Sequence, residues 1–118
     1  MEILAIQANE ARVRFPAGAA YFAGHFPGQP VVPGVVLIDA AVRIAARATG
    51  RPLRLCRLAN AKFVQAVGAD QEAVFSFSVA PDPARAERLK VSGKWSREGA
   101  KIAEMQFTAA DEGEPHGP

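Results

Sequence analysis

Apolar and polar positions along this chain change rhythm twice, and those changes outline its elements. Near the start, an apolar run from Ile3 to Ile6 is followed by Ala11, Val13 and Phe15 alternating with Arg12 and Arg14. Such pieces read as strands, the alternating one with a single covered face. Pro16 to Gly18 ends that segment, and Tyr21 to Gly34 is too dense in Gly and Pro for regular structure. From Gly34 or Val35 to about Ala48 no breaker intervenes, and the run stops at Gly50-Arg51-Pro52, which predicts a helix.

Beyond the helix the period returns to two. Leu53 to Val67 alternates in places, and Phe75, Phe77 and Val79 share one face of a strand within Gln71 to Ala80. Pro81-Asp82-Pro83 turns the chain, Leu89, Val91 and Trp95 stand among polar neighbours, Arg97-Glu98-Gly99 turns it again, and Ile102 to Ala109 closes. One helix among several antiparallel strands predicts an α+β fold in which the helix covers one face of a sheet. From Val35 to Ala48 only Asp39, Arg43 and Arg47 are not apolar. The expectation is a helix buried on nearly all sides, with its three charges on one stripe.

Composition narrows this outline little. The 118 residues suit a single domain, taken as 1–110, with 111–118 as a tail expected to fray. Apolar residues at 49% and charged ones at 22% are ordinary for a globular chain. The net charge is only +2, but Arg43, Arg47, Arg51, Arg54 and Arg57 cluster, as do Arg85, Arg88 and Lys90. Runs of this kind are most often solvated; otherwise they dock something acidic. Nucleic acid is disfavoured, because no zinc, helix-turn-helix or aromatic RNA-binding signature accompanies the charge. Cys56 is the only cysteine, so no internal disulfide and no multi-cysteine metal site can form, and it reads as a small core residue. The chain shows neither a signal-peptide layout nor an apolar run near the ~20 residues of a membrane span, so a cytoplasmic location is expected.

The chemistry concentrates between Tyr21 and Ala40. Pro27, Pro30 and Pro33 recur every third residue, as in a polyproline ligand, but their apolar neighbours Phe22, Phe26, Val31 and Val32 lead into the helix. In isolation His25 would be a hydrogen-bonded loop residue, and Asp39 would be a partner for Arg43 one turn on. The residues around them suggest more. A neutral imidazole can take and return a proton near neutral pH. Gly34 opens the helix, whose first amides have no internal partner and lie at the positive end of its dipole, a setting for an oxyanion. A carboxyl at Asp39 among Val, Ile and Ala is expected to favour its protonated form. A base, an oxyanion site and an acid are the parts needed to eliminate water β to a thioester carbonyl.

Gly24-His25-Phe26-Pro27-Gly28-Gln29-Pro30-Val31-Val32-Pro33-Gly34-Val35, with Asp39 fourteen residues after His25, closely resembles the active-site segment of the 3-hydroxyacyl-acyl-carrier-protein dehydratases. Lys62-Phe63 is a softer match in a later strand. The resemblance implies a hotdog fold, a curved antiparallel sheet wrapped around one central helix. It implies a homodimer in which His25 of one subunit faces Asp39 of the other. His25 would remove the α-proton and Asp39 would assist departure of the hydroxyl. The amides near Gly34 and Val35 would polarise the carbonyl, with Phe26, Pro33 and Arg43 completing the substrate-binding set. No metal or cofactor is implied. The phosphopantetheine arm belongs to the substrate, carried by an acidic acyl carrier protein or by coenzyme A.

Two departures shape the expectation. Fatty-acid members carry Gln four residues after the acid, where this chain has Arg43; an Arg there would favour the charged form of Asp39 if it points that way. The Asp-type site and short length place the chain nearer the relatives that serve aryl polyene synthesis. Other readings are a non-catalytic or partner-dependent hotdog subunit that binds acyl thioesters, and a hotdog thioesterase, although thioesterases usually lack the Gly-His-Phe-Pro-Gly run.

Overall fold

The computed structural model describes residues 1–22 and 31–113. Strands β1 (Glu2–Gln7) and β2 (Glu10–Arg14) form a hairpin. A 3-10 turn at Ala20–Phe22 precedes helix α1 (Gly34–Thr49). Strands β3 (Leu53–Phe63), β4 (Glu72–Pro81), β5 (Leu89–Arg97) and β6 (Ala100–Asp111) follow. All pairings are antiparallel, and the six strands lie in the order β1-β2-β4-β5-β6-β3. A single helix on a six-stranded antiparallel sheet is the architecture expected for a hotdog fold.

The period-two pattern becomes the two faces of the sheet. Phe75 and Phe77 on β4, Val91 and Trp95 on β5, and Met105 and Phe107 on β6 are buried against Leu37, Ala40, Ala41, Ile44 and Ala45 of α1. Ser76, Ser78, Lys90, Lys94 and Gln106 point to the outer face and are not buried. Trp95 anchors the core: its ring centroid lies 4.8 Å from Phe75 and 6.0 Å from Phe15. Phe75 also stacks on Phe77 at 5.3 Å. Gly93 makes room for this cluster, because a Cβ there would run into the ring of Phe75.

The helix has a clean start and stop. Pro33 occupies the N-cap in extended backbone and offers no side-chain bond; its carbonyl accepts from the amides of Val36 and Leu37 at 2.9 and 3.3 Å. At the other end Gly50 takes φ +70° and donates to the Ala46 carbonyl, a left-handed closure that costs glycine little.

Three expectations are corrected. The helix is not covered on nearly all sides: Val35 is 72% exposed, and the stripe of Asp39, Arg43 and Arg47 is open as well. Cys56 is only half-buried. Asp111, read as the first tail residue, is the last residue of β6, held by Arg51 at 2.9 Å, while the amide of Glu112 donates to the Pro52 carbonyl at 2.7 Å.

Candidate active site

The site is assembled where the loop before α1 meets the start of the helix and the open edge strand β3. Val31 bridges to Gly68, and the Val32 amide donates to the Val67 carbonyl at 2.8 Å. These bonds pin the incoming chain so that Pro33 starts α1 at a fixed place. Pro33 accepts for Val36 and Leu37, and the amides of Gly34 and Val35 are not taken up by a backbone bond among the described residues. Two such adjacent donors at the positive end of a 16-residue helix can hold a carbonyl oxygen as it gains charge. Gly34 packs under Phe63, whose ring carbons would stand 3.0–3.3 Å from any added Cβ, so the helix start and the end of β3 are in close contact.

Asp39 lies on the open side of α1, little more than a turn beyond those amides. Its carboxylate accepts from Arg43 Nε at 2.8 Å, with the two side chains 63% and 69% exposed. Arg43 therefore points at Asp39. The apolar, desolvated setting expected around this carboxyl is not present among the described residues, because Asp39, Arg43 and the neighbouring Val35 all stand on the exposed face of the helix. His25 and Phe26, the other halves of the expected base and substrate contacts, lie outside the described residues.

Two cavities meet at the Asp39–Arg43 pair. The larger, about 970 Å³, runs between α1 and β3. Val35, Ile38, Val42, Leu53, Leu55 and Leu58 supply its apolar lining. A smaller one, about 240 Å³, lies on the other flank of the helix among Met1, Tyr21, Val36, Asp39, Ala40 and Arg43. A third, about 340 Å³, opens beside Pro33, Gly34 and Phe63 at the helix start. The Gly34 and Val35 amides, the Asp39 carboxyl and a largely apolar cavity thus follow one another along one side of α1.

Sequence reasoning missed two features here. Leu55 and Leu58, with Phe63 and Val64 further along, expose apolar side chains on and just beyond β3; the broken alternation of Leu53 to Val67 was their trace. Tyr21, the only tyrosine, was read as the mere start of the Gly/Pro-rich stretch, yet it lines the same small cavity as Asp39.

Among the described residues no helix is long and apolar enough to cross a membrane.

Residues 5–106 match the ApeI-like family, described as the ApeI dehydratase. Among curated proteins the chain is 33% identical over 98 residues to the 3-hydroxyacyl-[acyl-carrier-protein] dehydratase FabZ of Erythrobacter litoralis, covering 75% of this chain and 64% of that protein. It is 30% identical over 93 residues to FabZ of Fusobacterium nucleatum, with the same coverage. The chain thus spans a little under two thirds of these relatives. In structure it is similar to the dehydratase heterocomplex ApeI:P from Xenorhabdus doucetiae (TM-score 0.67, 17% identity, 93% of this chain and 99% of that one). It is also similar to a probable thioesterase from Bartonella henselae (TM-score 0.67, 13% identity, 91% and 93%). At such identities the structures speak for the hotdog fold alone, and that one fold carries both descriptions.

Proposed function

Because the chain belongs to the ApeI-like dehydratase family, we propose that it dehydrates 3-hydroxyacyl thioesters to 2-enoyl thioesters, carried on an acyl carrier protein. The observation that carries this reading is the alignment, on one side of α1, of the Gly34 and Val35 amides, which take no backbone bond among the described residues, the Asp39 carboxyl and the largely apolar cavity beside β3.

In this mechanism the thioester carbonyl accepts from Gly34 and Val35, which makes the α-hydrogen acidic. His25 takes the α-proton, the Cβ–O bond breaks, and Asp39 protonates the departing oxygen to give water. A proton then returns from His25 to Asp39 through solvent before the next turnover. For that role Asp39 must leave Arg43. An exposed pair spaced i,i+4 is weak, so little opposes the exchange. The acyl chain occupies the cavity lined by Val35, Ile38, Val42, Leu55 and Leu58, and the pantetheine arm enters past Phe63. The arginines of α1 and β3 offer docking for an acidic carrier.

The working unit in this reading is a homodimer. Among the described residues β3 pairs with β6 on one side only, and an 11-residue edge strand that with its surroundings exposes Leu55, Leu58, Phe63, Val64 and Val35 is a template for pairing. A second copy joined there would cover the large cavity and desolvate Asp39, restoring the setting that one chain lacks. The same open edge also fits a related hotdog chain, which keeps a partner-dependent subunit as a second reading.

The test is turnover of a 3-hydroxyacyl thioester, or hydration of the enoyl product, by wild type, His25→Ala and Asp39→Asn. The expected result is enoyl product from wild type and a loss of roughly 10²-fold or more in each variant. A wild type inert on both aliphatic and aromatic thioesters, even on carrier protein, overturns independent catalysis.

A further inference from the structure

The large cavity beside β3 is apolar along its middle and charged at its far end. Gly34 meets Phe63 at one end of the helix–strand pair, and the short turn from Gly50 to Pro52 joins α1 to β3 at the other. Val35 and Leu58 therefore lie toward the helix start, while Arg47, Arg54 and Glu112 lie at the opposite end of the lining. Asp39, Arg43 and Arg47 recur every fourth residue on the exposed stripe of α1, and all three line the cavity. The lining holds three arginines, Arg43, Arg47 and Arg54, against two carboxylates, Asp39 and Glu112. Arg43 is bound to Asp39, and Arg54 Nη1 lies 3.5 Å from Cys56 Sγ. Arg47 makes no ion pair or side-chain hydrogen bond among the described residues. When Asp39 carries the proton it gives to the departing oxygen, the excess of positive charge in the lining grows further. An alkyl tail reaching the far end would strip water from Arg47 and return nothing. A tail ending in a carboxylate would accept charge-assisted, bidentate hydrogen bonds there.

We propose that Arg47 is a specificity-determining residue that binds an anionic end of the acyl chain, so that the enzyme favours thioesters of ω-carboxylated 3-hydroxy acids. This rests on the dehydratase reading and names a substrate class for it. Arg47 follows Asp39 by eight positions, which is about 12 Å along a helix. With Cβ beside Asp39, that distance is spanned by roughly ten bonds of an extended chain. The methylenes between lie against Val42, Leu53 and Leu55, and the chemistry at Cα and Cβ is unaltered. A cation in the last turn of a helix also complements the helix dipole. That structural role acts on stability and not on the choice between two acyl ends, which makes the two roles separable.

The test compares 3-hydroxydodecanedioyl-pantetheine with 3-hydroxydodecanoyl-pantetheine, which are equal in length and differ only at the tip. Free pantetheine thioesters remove carrier docking from the comparison. The expected result is a wild-type kcat/KM about tenfold or more higher for the carboxylated substrate, as hydrogen bonds between charged groups warrant. The ratio should fall to near one in Arg47→Gln, recover in part in Arg47→Lys, and shrink for wild type as salt is raised. A wild type that treats both substrates alike, or prefers the methyl end, overturns the proposal. So does a ratio that Arg47→Gln leaves unchanged, even if its melting temperature falls, since that is the signature of the dipole role alone. If wild type turns over neither substrate, nor 3-hydroxybutyryl-pantetheine, the dehydratase reading fails first. Calorimetric affinities for the two long thioesters then decide. The proposal falls unless the carboxylated one binds more tightly and Arg47→Gln abolishes the difference.

Discussion

The two halves of the sheet are finished to different degrees. Around β2, β4 and β5 the inner face is closed: Phe15, Phe75 and Trp95 are fully buried and interlock with one another. Around β3 the same sheet leaves Leu55, Leu58 and Phe63 in the open, opposite a helix face whose Val35 is exposed too. The first half is complete within one chain and accounts for its fold. The second half leaves apolar side chains uncovered among the described residues, and it is the half that holds Gly34, Asp39 and the large cavity. If the proposed function holds, stability and chemistry are carried by opposite sides of the molecule, and each side can be broken without the other.

The largest effect is expected from breaking the closed half. Gly93→Val places two methyl groups where the Phe75 ring stands. Phe75 has nowhere to move, being stacked on Phe77 and packed on Trp95. Overpacking of this kind costs typically 1–3 kcal/mol, and the immobile ring puts it at about 3 kcal/mol or more. Thermal unfolding should show a fall of roughly 10 °C or more, with activity lost only as the fold is lost. A midpoint within a degree of wild type would mean that the aromatic cluster is loosely packed.

Breaking the open half should leave the fold alone. Leu58→Lys puts a charge on the face that the proposed dimer covers, at a position already partly exposed in one chain. The melting temperature at high dilution should hardly move, as surface substitutions usually stay within about 0.5 kcal/mol. The dimer dissociation constant should rise tenfold or more in sedimentation, and turnover should fall with the dimer. An unchanged association state would remove β3 from the interface and leave its apolar side chains as cavity lining only.

The contrast between the halves also explains what could be read from sequence. Strict alternation in Val74 to Val79 and a breaker-free run ending at Gly50 gave β4 and α1 directly, because period and punctuation are local properties. The β1–β2 hairpin was less visible. Its turn puts Ala8, not glycine, at φ 52°, so no turn signature marks it. On β3 the register shifts between Leu55 and Arg57 and again between Leu58 and Asn60, which scrambles the alternation that would have shown an open apolar edge. The helix pattern misled for a different reason. An apolar residue that stays exposed looks in sequence like one packed in the core, so Val35 and the surroundings of Asp39 were expected to be buried. The direction of Arg43 depends on a side-chain rotamer and has no sequence signal at all. The Gly24 to Val35 segment was legible as a motif, and Tyr21 was not, because a cavity shared with Asp39 is visible only once the fold is placed.

The smallest effect concerns the seam where the two halves join. Arg51 follows the helix and binds Asp111 at the end of β6 through Nε at 2.9 Å and Nη2 at 3.2 Å, and it also donates to the Glu87 carbonyl at 3.0 Å. One side chain therefore ties the start of β3 to the end of β6 and to the segment before β5. The hydrogen bond and charge of Arg51 hold the Asp111 carboxyl below its ordinary pKa, partly opposed by burial. A carboxyl with a lowered folded-state pKa stabilises the fold above its unfolded value, and that stability is lost as pH falls through the folded value. Arg51→Gln should therefore lower the melting temperature slightly at neutral pH. The gap to wild type should close in acid, below the ordinary aspartate range, where Asp111 is protonated in both proteins. A gap that stayed constant with pH would assign the loss to the Glu87 carbonyl bond instead. The open half would then be fastened by backbone contacts alone, with no ionic contribution at the seam.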